Sequence, residues 1–256
     1  MRFFATLLVA ALVTQVIVAQ QKSLPVDLAQ GVKSEPKPPG NERFVFGVEW
    51  RLIRAGVVTM EVHKNGATLQ LDSSGLVSAL FKIQDVYRVN FEDNYCASSS
   101  LMDAREGKRH GETRVTYDRA QNKAIFSQRD VISGKTVRES TIDTPACVGD
   151  VMATLTRLRA ANLEIGKTVD LPMSDGRKAA LVRVEAQEKE EVKTPAGTFK
   201  AIRYEANLLN GVIYTRAGRA FIWLTDDARH MPVQIRLRMN FPVGTVNLQL
   251  EKEERS

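Results

Sequence analysis

The chain has 256 residues, 43% of them hydrophobic and 26% charged, with a formal net charge of +6. Such a length is ample to bury about 70% of the surface its unfolded chain exposes, and it fits one large domain as readily as two small ones. The positive charge is modest and scattered, with no Lys/Arg cluster interleaved with aromatics, so nucleic acid is a poor partner for it.

Arg2 precedes an apolar run from Phe3 to Val13 that continues to Val18 and Ala19, the small residue expected before a signal-peptidase cut. Residues 1–19 therefore read as a secretory signal peptide. An uncleaved anchor needs about 20 continuous apolar residues, and Thr14 and Gln15 interrupt this one. No cysteine lies near the cut, so the product is expected to be exported to the periplasm or cell envelope without a lipid anchor and without a membrane span. Cleavage removes 19 of the 256 residues and one basic side chain, Arg2, which leaves 237 residues with a net charge of +5. The next stretch, 20–42, carries Pro25, Pro36, Pro38 and Pro39 with few apolar residues and reads as a disordered linker.

From Arg43 onward the pattern is that of strands. Phe44, Phe46, Val48, Trp50 and Leu52 alternate with other residues, Ala55-Gly56 breaks the run, and Val57 to Val62 completes a hairpin. Asn65-Gly66 predicts a tight turn into a strand over 67–72. The apolar patch Leu76, Val77, Leu80 and Phe81 fits a helical turn or a strand. Further strands are expected over 85–92, 98–106, 112–117, 123–129 and 136–142; several are polar on both parities, as at Arg114, Thr116 and Asp118, and are expected at sheet edges or projecting into solvent.

Val148, Val151, Met152, Leu155 and Leu158 then recur at three and four, predicting an amphipathic helix over about 149–162 whose stripe packs on a sheet. Asp150 suits its start and Gly166 lies beyond its end, while Arg157 and Arg159, at other angles, are expected in solvent. Strands follow over 167–173, 178–190, 199–208, 211–215 and 219–224. In the last two, Val233, Ile235, Leu237, Met239 and Phe241 share one parity, as do Val246, Leu248 and Leu250. The fold class is therefore mainly β, an antiparallel sandwich or half-open barrel of many strands with one helix, forming a single domain over 43–256.

Candidate chemistry is sparse. Gly134-Lys135-Thr136 and Gly166-Lys167-Thr168 lack the preceding glycine of a phosphate loop, no nucleophile-elbow serine occurs, and no His pair has chelate spacing. No metal or cofactor is expected. Cys96 and Cys147, 51 positions apart in an exported chain, are expected to form a disulfide that stabilises the fold by roughly 4 kcal/mol. Asp226, Asp227 and His230 form a compact acid/imidazole group that could bind a cation or exchange protons, although acidic pairs in turns more often cap backbone N–H groups. Trp50 and Trp223 are core residues or the wall of a lipophilic cavity.

Segments in order resemble the bacterial domain of unknown function 3108 family: Phe44 to Gly56, the run from Asp150 to Arg159 followed by Leu163 to Gly166, Val192 to Ala201, and Ile222 to Val233. The resemblance spans about residues 43–251 and implies an exported cell-envelope β protein, with no catalytic residues to transfer. The cysteines lie outside that pattern. The expectation is a noncatalytic protein that binds a lipid, another lipophilic molecule or a further envelope component. An envelope-polymer enzyme working through dispersed Asp/Glu, or a structural partner in an envelope complex, is the alternative.

Overall fold

The alternation of apolar and polar residues becomes extended chain along most of the sequence. The computed structural model describes residues 41–207, 218–239 and 244–255. The stretch read as a signal peptide, nearly all of that read as a linker, the strand expected over 211–215 and Phe241 lie outside the described residues.

The first half contains β1 (Glu42–Trp50), β2 (Ile53–His63), β3 (Gly66–Ser73), β4 (Ile83–Phe91), β5 (Ala97–Glu106), β6 (Arg109–Asp118), β7 (Lys123–Asp130) and β8 (Thr136–Asp143). The second contains β9 (Thr168–Ser174), β10 (Ala179–Thr194), β11 (Gly197–Asn207), β12 (Gly218–Thr225), β13 (Pro232–Met239) and β14 (Thr245–Arg255). Two helices interrupt them, α1 (Gly75–Leu80) and α2 (Val151–Ala161). The ambiguous patch after Ser73 is thus α1.

Among the described residues the strands form one 14-stranded sheet in the order β8-β7-β6-β5-β4-β3-β2-β1-β14-β13-β12-β11-β10-β9. Each half is an antiparallel meander, and the last strand pairs with the first, Phe46 opposite Leu250 and Val48 opposite Leu248. The sheet is not closed, because no ladder joins β8 to β9. Of the two architectures expected, this is the half-open barrel. The chain crosses the seam through Cys147 to Gly149 and α2. Ala97 N donates to Val148 O at 2.9 Å on the β5 side, while Gly149 N donates to Pro172 O at 3.0 Å and Ser174 N to Gly149 O at 2.9 Å on the β9 side.

Register follows from the period of two, which sends alternate residues to opposite faces. Phe44, Phe46, Val58, Met60, Val62, Val89, Val115, Phe126, Val233 and Leu250 occupy the inner face and are buried in one cluster with Met152 and Ala153 of α2. Leu158, near the other end of α2, belongs instead to a cluster with Leu171, Val182, Val184, Ile202, Tyr204 and Leu224. The helix therefore ties together the inner faces of both meanders. A bulge between Ala186 and Lys189 redirects the outer end of the β10–β11 hairpin toward β13 and β14, where Ala196 N donates to Leu250 O at 3.0 Å.

Several expectations are corrected. Val151 is 44% exposed, whereas Thr154, Thr156 and Arg159 are buried, so α2 is not a simple two-faced helix. A helix seated in the mouth of an open barrel is contacted from several directions, and an apolar stripe is no longer required. Arg159 is not in solvent: its guanidinium pairs with Glu42 at 2.8 Å, donates to His230 O at 2.9 Å and lies over the Phe44 ring. Arg157 donates to Asn94 O and Tyr95 O. The helix ends at Asn162 in the left-handed region, before Gly166. For the polar strand β6 the expected projection into solvent holds, with Arg114 and Thr116 exposed, but the expected edge does not, since β6 lies between β5 and β7 with Val115 and Tyr117 buried.

Candidate functional site

Where the meander β4 to β7 curves, its inward residues fall into cross-strand rows. Tyr87, Met102, Thr113 and Gln128 form one row, and Val89, Ser100, Val115 and Phe126 form the next. Facing them across the seam are Val151 at the start of α2, Met173 and Ser174 at the end of β9, and the turn Asp175-Gly176-Arg177. Between these walls lies a hollow of about 400 Å³, within the roughly 300–1,000 Å³ of small-molecule sites. Its lining is mixed, with the side chains of Tyr87, Met102, Val115, Phe126, Val151 and Met173 set among Ser100, Thr113, Gln128 and Ser174.

The wall is held by a buried polar network. Asp150 is the N-cap of α2, with Oδ1 accepting from Ala153 N at 2.8 Å and Oδ2 accepting from the Tyr87 hydroxyl at 2.6 Å. The residue is 1% exposed, and this burial pushes its carboxyl pKa up, against the opposing pull of the bonds from Tyr87 and the helix N–H groups. The Tyr87 phenol is pushed far above its ordinary value, first by burial and then by the charge of Asp150. Tyr117 is shifted the same way by burial, and its hydroxyl donates to Ser174 O at 3.0 Å. Both phenols thus stay neutral donors at any physiological pH. They tie β4 and β6 to the elements across the seam.

The turn after β9 fixes the mouth. Gly176 has φ +84°, and an added Cβ would meet Val115 Cγ2 at 2.6 Å, so the turn can press this closely on β6 only with glycine there. Asp175 Oδ1 accepts from the backbone of Arg177 and Lys178, and its Oδ2 accepts from the Arg177 guanidinium at 2.6 Å. That guanidinium sits 5.8 Å from the Phe126 ring. One cation, steadied by a carboxylate, therefore stands beside a partly apolar hollow.

The Cys96–Cys147 disulfide is present, with 4.9 Å between Cα atoms. It joins the residue before β5 to the segment entering α2, a few residues from Asp150. Arg157 Nη2 lies 2.9 Å from Cys147 Sγ and fastens the helix to the same corner.

The acid/imidazole group stands elsewhere, and its members have separate partners. Asp226 pairs with Lys189 at 2.7 Å. Asp227 Oδ1 accepts from Thr225 Oγ1 at 2.8 Å and Arg229 N at 2.9 Å, as a turn cap does. His230, 8% exposed with φ +43°, turns inward, and its Nδ1 lies 2.6 Å from Arg159 O. Trp223 is a core residue, 4% exposed and in the cluster of Phe44 and Val233, with its Nε1 donating to Glu190 at 2.8 Å and Arg236 over its ring. Trp50 is half-buried at the end of β1 with Arg51 over its ring. Neither tryptophan lines the hollow. Among the described residues no group of three or more His, Cys, Asp or Glu side chains is placed to hold a metal. No described helix is long and apolar enough to cross a membrane.

The hollow's own residues escaped sequence reasoning. Their one visible signal was polarity on the parity that also carries Val115 and Tyr117. Interior strands with polar inward side chains line a space more often than they pack a dry core.

A half-open antiparallel barrel with a helix in its seam and a mixed hollow beside it places the fold among β-barrel-like proteins. The chain belongs to the family described as Protein of unknown function (DUF3108), whose family model matches residues 45–251. No curated protein matches it. Among solved structures it is similar to a β-barrel-like protein of domain of unknown function DUF1849 from Brucella abortus, at 10% identity over 86% of this chain and 99% of that one, with a TM-score of 0.56. It also matches a DUF1089 family protein from Pseudomonas aeruginosa, at 12% identity over 72% and 90% of the two chains and a TM-score of 0.39. A Bacteroides fragilis protein provisionally described as exported, with a YmcC-like fold, matches at 12% identity over 85% and 97%, TM-score 0.33. Of these, the Brucella protein is similar enough to indicate a shared fold, and the likeness goes no further than fold.

Proposed function

We propose that this protein is exported to the cell envelope, where it binds a lipophilic molecule bearing a polar or anionic end in the hollow between β4–β7 and the β9–α2 seam, without transforming it. Export is supported by the Arg2-to-Ala19 signal pattern and by a disulfide suited to an oxidising compartment. Binding rests on one observation: Tyr87, Met102, Val115, Phe126 and Met173 share a space of about 400 Å³ with Ser100, Thr113 and Gln128, and Arg177 stands at its mouth. Apolar walls hold the body of a ligand, and the few polar groups orient its end.

The titratable groups around the hollow favour binding over turnover. Asp150 is occupied in capping α2 and accepting from Tyr87, and the Tyr87 phenol is held neutral. No histidine or cysteine is among the lining residues, and the lining carboxylate, Asp175, is occupied by the Arg177 guanidinium and the turn backbone.

Titration of the mature protein with a fluorescent fatty acid tests this, using Met102→Trp to fill the hollow from β5. The wild type is expected to bind saturably, and the variant to bind at least about tenfold more weakly, about 1.4 kcal/mol, while melting as a folded protein. Equal affinity in a folded Met102→Trp, or no saturable binding by the wild type, would contradict the proposal.

A further inference from the structure

In an up-and-down meander alternate connections lie at the same end of the sheet. The β1–β2, β3–β4, β5–β6 and β7–β8 connections therefore share one rim, and β2–β3, β4–β5 and β6–β7 the other. The two rims differ sharply. On the first, Leu52 is 96% exposed, Leu80 87%, Leu76 and Ile132 70%, Ile53 49% and Phe81 46%. On the second, the connections are Lys64-Asn65, Glu92 to Cys96 and Arg119 to Asn122, and no large hydrophobic residue is exposed in them.

Helix α1 shows the same bias, since none of its residues is buried. It is anchored by backbone alone at its start, where Ser74 N donates to Ala55 O at 2.8 Å. That bond sets it beside the base of the Leu52-Ile53 turn. Phe81, just after α1, lies against Gly107 of the β5–β6 turn, whose N donates to Lys82 O at 2.7 Å. A helix that contributes nothing to the core, held so that Leu76 and Leu80 project, has no role in folding that accounts for its leucines.

The same rim is basic. Arg51, Arg54, Lys82, Lys108, Arg109 and Lys135 are exposed around the apolar tips, against Glu106 and Asp130. Arg54 is paired with Glu251, and the remaining basic side chains still outnumber Glu106 and Asp130 among the described residues of these connections. Projecting leucines and a phenylalanine ringed by Lys and Arg match the layered chemistry of a bilayer surface, with acyl chains beneath anionic headgroups.

We infer that this rim docks on an anionic lipid bilayer, inserting Leu52, Leu76, Leu80 and Phe81 among the headgroups while Lys82 and Lys108 meet their phosphates. The docking stands on the rim alone and does not require that the hollow be loaded.

Flotation of the mature full chain with vesicles tests it, comparing pure phosphatidylcholine with phosphatidylcholine containing phosphatidylglycerol. Expected is binding to the anionic vesicles that weakens with salt, falls at least about tenfold in Lys82→Glu/Lys108→Glu, and is abolished in Leu76→Ser/Leu80→Ser. Each substituted position is exposed, so both variants should melt with the wild type. Absence of binding, equal binding to both vesicle types, or unchanged binding by either variant overturns the inference. So does a self-associated protein whose dimer, and not its vesicle binding, is lost in the leucine variant, because the partner is then a second copy. Met102→Trp should float like the wild type, which separates failure of this inference from failure of ligand binding.

Discussion

Replacing Asp150 separates its roles as a cap, a partner of Tyr87 and a charge. Asp150→Ala removes the N-cap of α2, worth about 1 kcal/mol. It also leaves the buried Tyr87 hydroxyl without its acceptor, at about 1–3 kcal/mol. Together these predict a loss of about 2–4 kcal/mol, which at about 2–4 °C per kcal/mol for a chain of this size lowers Tm by about 5–15 °C. Asp150→Asn keeps one oxygen, which can accept from the helix N–H or from Tyr87 but not from both, and should cost less than Asp150→Ala. The two variants also differ in pH response. Burial raises the folded pKa of Asp150 above its unfolded value, so between those two values the folded protein holds the proton more firmly. Its contribution to stability is greatest below the unfolded pKa and declines as pH rises through the folded one. Asp150→Asn should remove that decline. The assay is urea unfolding followed by circular dichroism across the acidic to neutral range. An Asp150→Ala protein within about 0.5 kcal/mol of the wild type, or an unchanged pH slope in Asp150→Asn, would refute the reasoning.

The Cys96–Cys147 disulfide, closing a loop of 51 positions, should stabilise the protein by roughly 4 kcal/mol less any strain. Cys96→Ser/Cys147→Ser is expected to melt well below the wild type under non-reducing conditions, and identical melting would count against the estimate. Glu42→Gln leaves the Arg159 guanidinium buried beside a neutral amide, and breaking such a pair costs about 3–5 kcal/mol. The double variant Glu42→Gln/Arg159→Met should recover part of that loss, and strict additivity in chemical unfolding would show that the two residues are not coupled.

Strand content was legible because the period of two maps directly from sequence to face. Val233, Ile235 and Leu237 lie on the inner parity and Arg236 and Arg238 on the outer, as their alternation demands. The pairing of β14 with β1 left no such mark, since Phe46 opposite Leu250 joins residues from the two ends of the domain. The helix was legible in place but not in facing. Arg159 reads as solvated until its partner Glu42, 117 positions away, is brought to it by the fold. The hollow left no mark for a similar reason: Thr113 and Gln128 line a common space only once the sheet curves around it. By contrast, the local turn at Asp226-Asp227 was visible because its capping bonds to Arg229 N and Thr225 Oγ1 span only two residues.

Native mass spectrometry of the protein purified from its own envelope tests the central claim most directly. Ligand-bearing wild type should show an added mass that extracts into organic solvent and is absent from Met102→Trp prepared identically. Wild-type protein that is consistently free of any added mass, or a variant carrying the same mass, would contradict the assignment of the β4–β7 hollow as a lipophilic binding site.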